Sequence, residues 1–314
     1  MKHLEVCFVG VGSIAKRHIK NLVRVAEQNG FDLVIDAVRR NGNRDNDAVF
    51  SNIRNIYCDI SEIKSVYDVA FITNPTELHI ETINKITPYA RHFFIEKPIS
   101  SIKQLEEAAG YKCKEGSVYY VACPLRYNAV IQYLKENIKV EDVFSVRSIS
   151  SSYLPDWRPG TDYRTTYSAH KELGGGVSID LVHEWDYLSF LFGKPLTVKS
   201  MIGKKSNLEI NSDDCAIYVA EYEDKIVELH LDYFGRKTIR EVMLFTKDDT
   251  IIGDIANNKI RFLKENKEIV FNEERDDFQI RELEHFIKMI EFQTPQDSDI
   301  EHAIDVLKLT QGEC

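Results

Sequence analysis

Gly10-Val11-Gly12-Ser13-Ile14-Ala15 follows the apolar run Leu4 to Val9 and opens a segment of helical period; the fold is decided in this stretch. The first glycine permits a tight turn, the second lets the backbone approach a pyrophosphate, and the small Ala15 allows close packing of helix on strand. Free N–H groups at the helix start, around Ser13 and Ile14, then face the phosphates. A Gly-x-Gly alone is equally an ordinary turn between strand and helix. Its position inside the first strand–helix–strand unit of an alternating chain favours dinucleotide binding.

Outward from the loop, Leu33 to Val38, Val69 to Thr73, Phe93 to Ile95 and Val118 to Ala122 are nearly continuous apolar runs, as parallel strands buried on both faces should be. A helix from about Ile14 to Ala26 sets Ala15, Ile19, Leu22, Val23 and Ala26 on one face. The first part is therefore an α/β Rossmann domain, a doubly wound parallel sheet. After residue 140 the pattern changes to longer strands of period two. A hairpin runs Cys215 to Tyr222, turns at Glu223-Asp224 and returns through Lys225 to Tyr233; turns at Asp248-Asp249, Asn257-Asn258 and Glu265-Asn266 continue it as a meander. Leu283, Phe286, Ile287 and Ile290 form a helical stripe near the end, and Ser298 with Glu301 resembles a capping box. The expected domains are residues 1–123 and an α+β domain over 124–314 with a largely antiparallel sheet, its last helices available to pack back on the first.

The 314 residues are 43% hydrophobic and 29% charged, a globular balance, and the length suits two cores better than one. A net charge of −10 repels a phosphate backbone, so nucleic acid and anionic membrane are not expected partners. The N-terminal residues run directly into a strand without an apolar signal core, and no stretch of eighteen apolar residues occurs; a cytoplasmic protein is expected. Cys7, Cys58, Cys113, Cys123, Cys215 and Cys314 are scattered without zinc-ligand spacing, so they read as reduced and structural and no metal is expected.

The second strand ends Ala37-Val38-Arg39-Arg40, where an NAD-selective chain usually carries an acidic residue for the ribose 2′-OH. Two guanidinium groups suit a 2′-phosphate, and NADP is expected in preference to NAD. The competing reading makes Asp36 the ribose ligand and leaves the arginines solvated.

Taken together, the glycine loop, Thr73-Asn74-Pro75 with His79, Glu96-Lys97-Pro98, and Gly174-Gly175-Gly176 leading to Asp180 and His183 resemble the Gfo/Idh/MocA family over nearly the whole chain. The resemblance implies that Thr73, Asn74, Pro75 and His79 border the nicotinamide half of the cofactor and that Glu96 and Lys97 contact its ribose. It makes Lys97, Asp180 and His183 the catalytic and substrate-contacting set. An ammonium can stabilise a developing alkoxide, and an imidazole can take the hydroxyl proton. The common family pattern spaces its aspartate and histidine by four, whereas here they are three apart on an expected single helix, and Glu184 holds the fourth position as an alternative base. Trp157 and Arg158 match an element beside the nicotinamide, and Arg126 and Tyr163 are implied substrate contacts. Arg164, Tyr167 and Lys171 are further pocket candidates, and residues 160–171 serve equally as a subunit contact.

The branch resembled belongs to bacterial surface-polysaccharide and nucleotide-sugar pathways, so the implied substrate is a sugar, a nucleotide sugar or a cyclitol. The expected activity is hydride transfer between a nicotinamide and a CH–OH carbon. The alternative is a non-catalytic NAD(P)-sensing regulatory protein on the same fold. A homodimer or homotetramer is expected, joined through the open face of the antiparallel sheet.

Overall fold

The structure, a computed structural model, describes residues 2–314. The chain forms β1 (His3–Val9), α1 (Ser13–Asn29), β2 (Asp32–Val38), β3 (Ile53–Tyr57), β4 (Tyr67–Ile72), α2 (His79–Ile86), β5 (Ala90–Ile95), α3 (Leu105–Ala109) and β6 (Tyr119–Val121). There follow α4 (Ala129–Asn137), β7 (Val143–Tyr153), α5 (Val177–Asp180), α6 (Val182–Phe192), β8 (Thr197–Gly203), β9 (Cys215–Glu221) and β10 (Ile226–Asp232). The last elements are β11 (Phe234–Thr246), β12 (Thr250–Asp254), β13 (Lys259–Phe262), β14 (Lys267–Val270), α7 (Asp277–Phe292) and α8 (Ile300–Leu309). Two compact units result: one runs to Cys123 and takes in Arg275–Ile304, the other comprises Pro124–Glu274 and Asp305–Cys314.

The first unit holds a parallel sheet in the order β3-β2-β1-β4-β5-β6. Phe8 stacks on Phe71 with ring centroids 4.4 Å apart, Phe71 stacks on Phe94 at 5.0 Å, and Phe286 of α7 meets Phe94 edge-on at 5.3 Å. Each of these rings is almost wholly removed from water, which contributes about 1.5–3 kcal/mol apiece. Helix α1 buries Ala15, Ile19, Leu22, Val25 and Ala26, together with two polar residues, His18 and Asn21. Gly30 closes it in the left-handed conformation at φ 68°. The edge strand β3 escapes the apolar-run criterion because Arg54 and Asn55 interrupt it on the solvent side. Ser298 does not cap α8: its hydroxyl donates to Val121 O at 2.7 Å while its carbonyl accepts from Val121 N–H, so it pairs with β6. Asp299 caps the helix instead, accepting from His302 N–H at 2.8 Å.

The second unit is built on an eight-stranded sheet in the order β14-β13-β12-β11-β7-β10-β9-β8. The expected continuous meander is interrupted, because β7 sits between β10 and β11 and runs parallel to β10. Two meanders, β8–β10 and β11–β14, therefore flank an earlier strand. One face is covered. Trp185 of α6 packs edge-on against Tyr218 of β9 at 5.3 Å, and a Cβ on Gly253 would come within 2.9–3.0 Å of Val130 and Leu134 of α4. The other face stays open, presenting Met201, Ile217 and Val219 to solvent.

The segment after Gly174-Gly175-Gly176 is not one helix. Leu181, at φ −96° and ψ 29°, ends α5 by donating to Val177 O and begins α6 by accepting from Glu184 N–H. Asp180 thus closes one helix while His183 stands in the first turn of the next. A rotation per residue reckoned along a continuous helix does not describe their relation.

Candidate active site

Within the first unit, the glycine loop and the ends of β4 and β5 meet at the carboxyl edge of the sheet. Gly10 has φ +92°, and a Cβ there would lie 2.8 Å from the backbone of Asn74; only glycine lets these two loops touch. Thr73 ties them further, its hydroxyl donating to Gly10 O at 2.7 Å. Gly12 faces open space, which is what a phosphate approaching Ser13 and Ile14 at the helix start needs. Asn74 donates to Thr82 Oγ1 at 2.7 Å, while its own Oδ1 is buried and finds no partner among the described residues. Pro75 is exposed at the rim. An orphaned amide oxygen beside an open glycine cradle fits a dinucleotide, whose carboxamide or ribose can donate to it.

His79 was expected beside the nicotinamide, yet it lies in the interior. Its Nδ1 is 3.0 Å from Pro98 O and its Nε2 2.9 Å from Asn74 O, and burial pushes the imidazole below its ordinary pKa. It acts as a strut between the two loops. Glu96 is held at 2.5 Å by His18 Nε2 and accepts the N–H of Lys97 at 3.2 Å. Burial opposes its charge, but His18 and Lys97 outweigh that and keep the carboxyl below its usual range. The Lys97–Pro98 bond is cis. Sequence reading missed His18, whose only signal is a polar residue on the buried face of α1.

At the end of β2, Asp36 is fully buried. Arg54 grips its carboxylate through two bonds of 2.8 and 3.0 Å, and Tyr67 OH donates to it at 2.7 Å. The competing role for Asp36 as ribose ligand has no room to operate. Arg39 is half-buried and forks onto Asp45 at 2.8 and 2.9 Å, while Arg40 is exposed.

In the second unit, the glycine run is a place of close approach. A Cβ on Gly175 would strike the carbonyls of Tyr167 and Ser168, and one on Gly176 would strike the Asp213 carboxylate. Asp213 receives Ser178 N–H at 2.9 Å and so fixes the start of α5. At the other end of α5, Asp180 accepts Tyr233 OH at 2.5 Å. Burial, then Asp180 itself, pushes the Tyr167 phenol up. Trp157 stands edge-on to Tyr233 at 5.1 Å and donates to Ser152 Oγ, and Arg158 lies 5.7 Å over the Tyr167 ring. Trp157, Arg158 and Tyr163 share the wall of a shallow recess. Tyr163 also accepts Glu209 N–H at 3.1 Å. His183 is half-buried on α6.

Three expectations change here. Arg126 was expected to meet substrate, but it is 2% exposed and forks onto Asp186 at 2.7 and 2.9 Å, a buried pair inside this unit. Glu184, the alternative base, is wholly buried with Arg240 at 2.8 Å from its carboxylate. Arg164 is spent on Asp162 and Glu209 at the surface. Among the described residues no group of three or more His, Cys, Asp or Glu side chains could hold a metal ion.

A parallel sheet with a glycine cradle at its carboxyl edge makes the first unit a dinucleotide-binding fold. The profile described as "Oxidoreductase family, NAD-binding Rossmann fold" matches residues 4–123, and that described as "Oxidoreductase family, C-terminal alpha/beta domain" matches residues 135–296. The chain belongs to this family, Gfo/Idh/MocA. It is 24% identical over 330 residues to scyllo-inositol 2-dehydrogenase (NAD(+)) of Bacillus subtilis (strain 168), covering 98% of this chain and 92% of that protein. It is 23% identical over 230 residues to the uncharacterized oxidoreductase YrbE of the same organism, covering 71% of this chain and 65%, just under two thirds, of YrbE. Among solved structures, the WlbA dehydrogenase from Bordetella pertussis in complex with NADH and UDP-GlcNAcA superposes with a TM-score of 0.76 at 17% identity, covering 99% of this chain and 95% of that one. At that identity the likeness speaks for the fold.

Proposed function

We propose that the protein is an NAD(P)-dependent dehydrogenase or reductase acting on a CH–OH group of a sugar, a nucleotide sugar or a cyclitol. The observation that carries this reading is the cradle in the first unit, where Gly10 touches Asn74, Gly12 is open and Asn74 Oδ1 lacks a partner. A bound nicotinamide supplies or takes the hydride. Gly10, Gly12, Ser13 and Ile14 hold the pyrophosphate by backbone N–H groups, and Thr73, Asn74 and Pro75 border the nicotinamide end. Lys97, fixed through its backbone to Glu96, stabilises negative charge on the reacting oxygen and passes its proton. His183 is the base, and Asp180, restrained by Tyr233, orients the substrate hydroxyl. The buried pairing of Glu184 with Arg240 supports His183 in preference to the carboxylate. Trp157, Arg158 and Tyr163 contribute to substrate contact.

NADP(H) is the preferred cofactor in this reading. With Asp36 committed to Arg54, the end of β2 offers Arg39 and Arg40 and no free carboxylate of its own. A cytoplasmic location, where nicotinamide cofactors and sugar nucleotides circulate, goes with the proposal. So does a homo-oligomer joined through the open face of the second sheet. The inositol and UDP-GlcNAcA named with the relatives support the substrate class. The test is a panel of nucleotide sugars, sugars and polyols followed by NADPH and NADH absorbance beside direct cofactor titration. Turnover of a panel member supports an enzyme. Binding of the cofactor with no turnover across the panel supports a sensor.

A further inference from the structure

The loop after β2, Arg39-Arg40-Asn41-Gly42-Asn43-Arg44-Asp45-Asn46-Asp47, carries its own counter-charges to the cations beside it. Arg39 donates through both terminal nitrogens to the two oxygens of Asp45, at 2.8 and 2.9 Å, and to Asn43 O at 2.7 Å. Lys16, in the first turn of α1 and so beside the glycine loop, places its ammonium 3.0 Å from Asp47 and 3.5 Å from Asp45. Both cations lie over the same ring, Phe50, at 5.3 and 5.4 Å. The loop is anchored on either side of Asp45. Arg44 donates to the carbonyls of Phe50, Ile53 and Arg54, and Asp47 accepts Val49 N–H at 3.1 Å. Two cations thus face two carboxylates, and the cluster is neutral as it stands.

A residue just past the second strand of a dinucleotide-binding unit faces the adenosine ribose. A 2′-phosphate arriving there brings close to two negative charges and needs the guanidinium fork that Asp45 already occupies. We infer that Asp45 is a specificity-determining residue of this protein, an internal competitor that a 2′-phosphate must displace from Arg39 and that a plain ribose leaves in place. This rests on the reading of Arg39 as a 2′-phosphate ligand. Asp45 then lowers the affinity for NADP(H) relative to what the two arginines alone would give, and narrows the gap to NAD(H). Lys16 keeps Asp47 as its nearer partner after Asp45 moves, so the cluster gives up the contacts of Asp45 with Arg39 and Lys16 but not its framework. The carboxylates of these pairs are exposed and the cations half-buried, and the expected effects are correspondingly modest.

The full-length protein and its Asp45→Asn, Arg39→Ala and doubly substituted forms should be titrated with NADPH and with NADH, thermal unfolding confirming that each is folded. The expected result is that Asp45→Asn binds NADPH about three- to tenfold more tightly, a change on the order of 1 kcal/mol, with NADH altered less than about twofold. The gain must vanish in the Arg39→Ala background, where there is no fork to release. If Arg39→Ala weakens NADPH but Asp45→Asn leaves it unchanged or weakens it, the cofactor reading stands and the inference is overturned; Asp45 then orients Arg39 and does not compete with the phosphate. If the native protein binds NADPH no more tightly than NADH and Arg39→Ala changes neither, the cofactor reading itself fails and takes the inference with it.

Discussion

His18 Nε2 lies 2.5 Å from Glu96 Oε1, joining the helix that leaves the glycine loop to the residue that precedes Lys97. The other oxygen of Glu96 receives the Lys97 N–H, and the His18 ring sits edge-on to Phe94 at 5.1 Å. The imidazole therefore positions Glu96, and through it the lysine backbone. Replacing His18 with Phe keeps the aromatic packing but removes the donor. Turnover should fall by about ten- to a hundredfold, the scale of a small misplacement near the reacting atoms, with NADPH affinity changed only a few fold. His18→Gln, which retains a donor, should recover much of the loss. Equal losses in the two variants would show that His18 serves packing alone.

Gly10→Ala tests the contact between loops. A methyl at φ +92° and 2.8 Å from the Asn74 backbone forces the two loops apart, and strain in this region costs roughly 1–3 kcal/mol. NADPH and NADH affinity should both drop about tenfold or more. Gly12→Ala, at a position with no neighbouring protein atoms, should spare stability and lose affinity only through contact with the cofactor. Calorimetry of the two variants separates these effects; the idea is lost if Gly10→Ala binds both cofactors normally.

How much of this was legible in the sequence follows from what each residue does. Gly10 declares itself because its role is local, a tight turn after a strand, whereas Thr73 and Glu96 are marked only by the family resemblance, since their partners Gly10 and His18 lie far off in sequence. Arg126 and Glu184 misled because an arginine or a carboxylate in a site-like segment looks the same whether it meets substrate or a buried partner, and the partners Asp186 and Arg240 are far away in sequence. The break at Leu181 was hidden because Val-Ser-Ile-Asp-Leu-Val-His-Glu has no glycine or proline to announce it. The insertion of β7 beside β10 depends on long-range pairing, which hydrophobic period cannot report.

The Asp36–Arg54 pair gives a prediction in pH. Burial raises the Asp36 carboxyl, but Arg54, Tyr67 and the Asn55 N–H together outweigh it and hold its pKa below the ordinary 3.8. A carboxyl depressed on folding stabilises the protein above its unfolded pKa, and that stability is lost as pH falls through the folded value. Native stability should therefore decline below about pH 4. Arg54→Ala removes the main pull and leaves the buried charge exposed to its desolvation penalty. It should cost about 1–3 kcal/mol at pH 7, and the difference from the native protein should shrink toward acid as Asp36 protonates. Urea unfolding at several pH values measures this; a difference independent of pH would contradict it.

The open face of the second sheet leads to a prediction about assembly. Met201 is 75% and Val219 46% exposed on neighbouring strands, with Ile217 between them. Met201→Glu with Val219→Lys should dissociate the proposed homo-oligomer at micromolar concentration, leaving the far-ultraviolet circular dichroism unchanged. Sedimentation velocity reads the outcome, and a native protein that is monomeric at that concentration ends the proposal.

The central claim is that this chain moves hydride with Lys97 and His183 handling the proton, and the most direct measurement is turnover of Lys97→Met and His183→Ala beside cofactor affinity. On a substrate drawn from the panel, both should lose about a hundred- to ten-thousand-fold in kcat, while NADPH affinity stays within a few fold of the native protein. Glu184→Gln, which disturbs a buried ion pair with Arg240, should cost stability more than turnover per folded molecule. Near-native kcat in both Lys97→Met and His183→Ala would contradict the account.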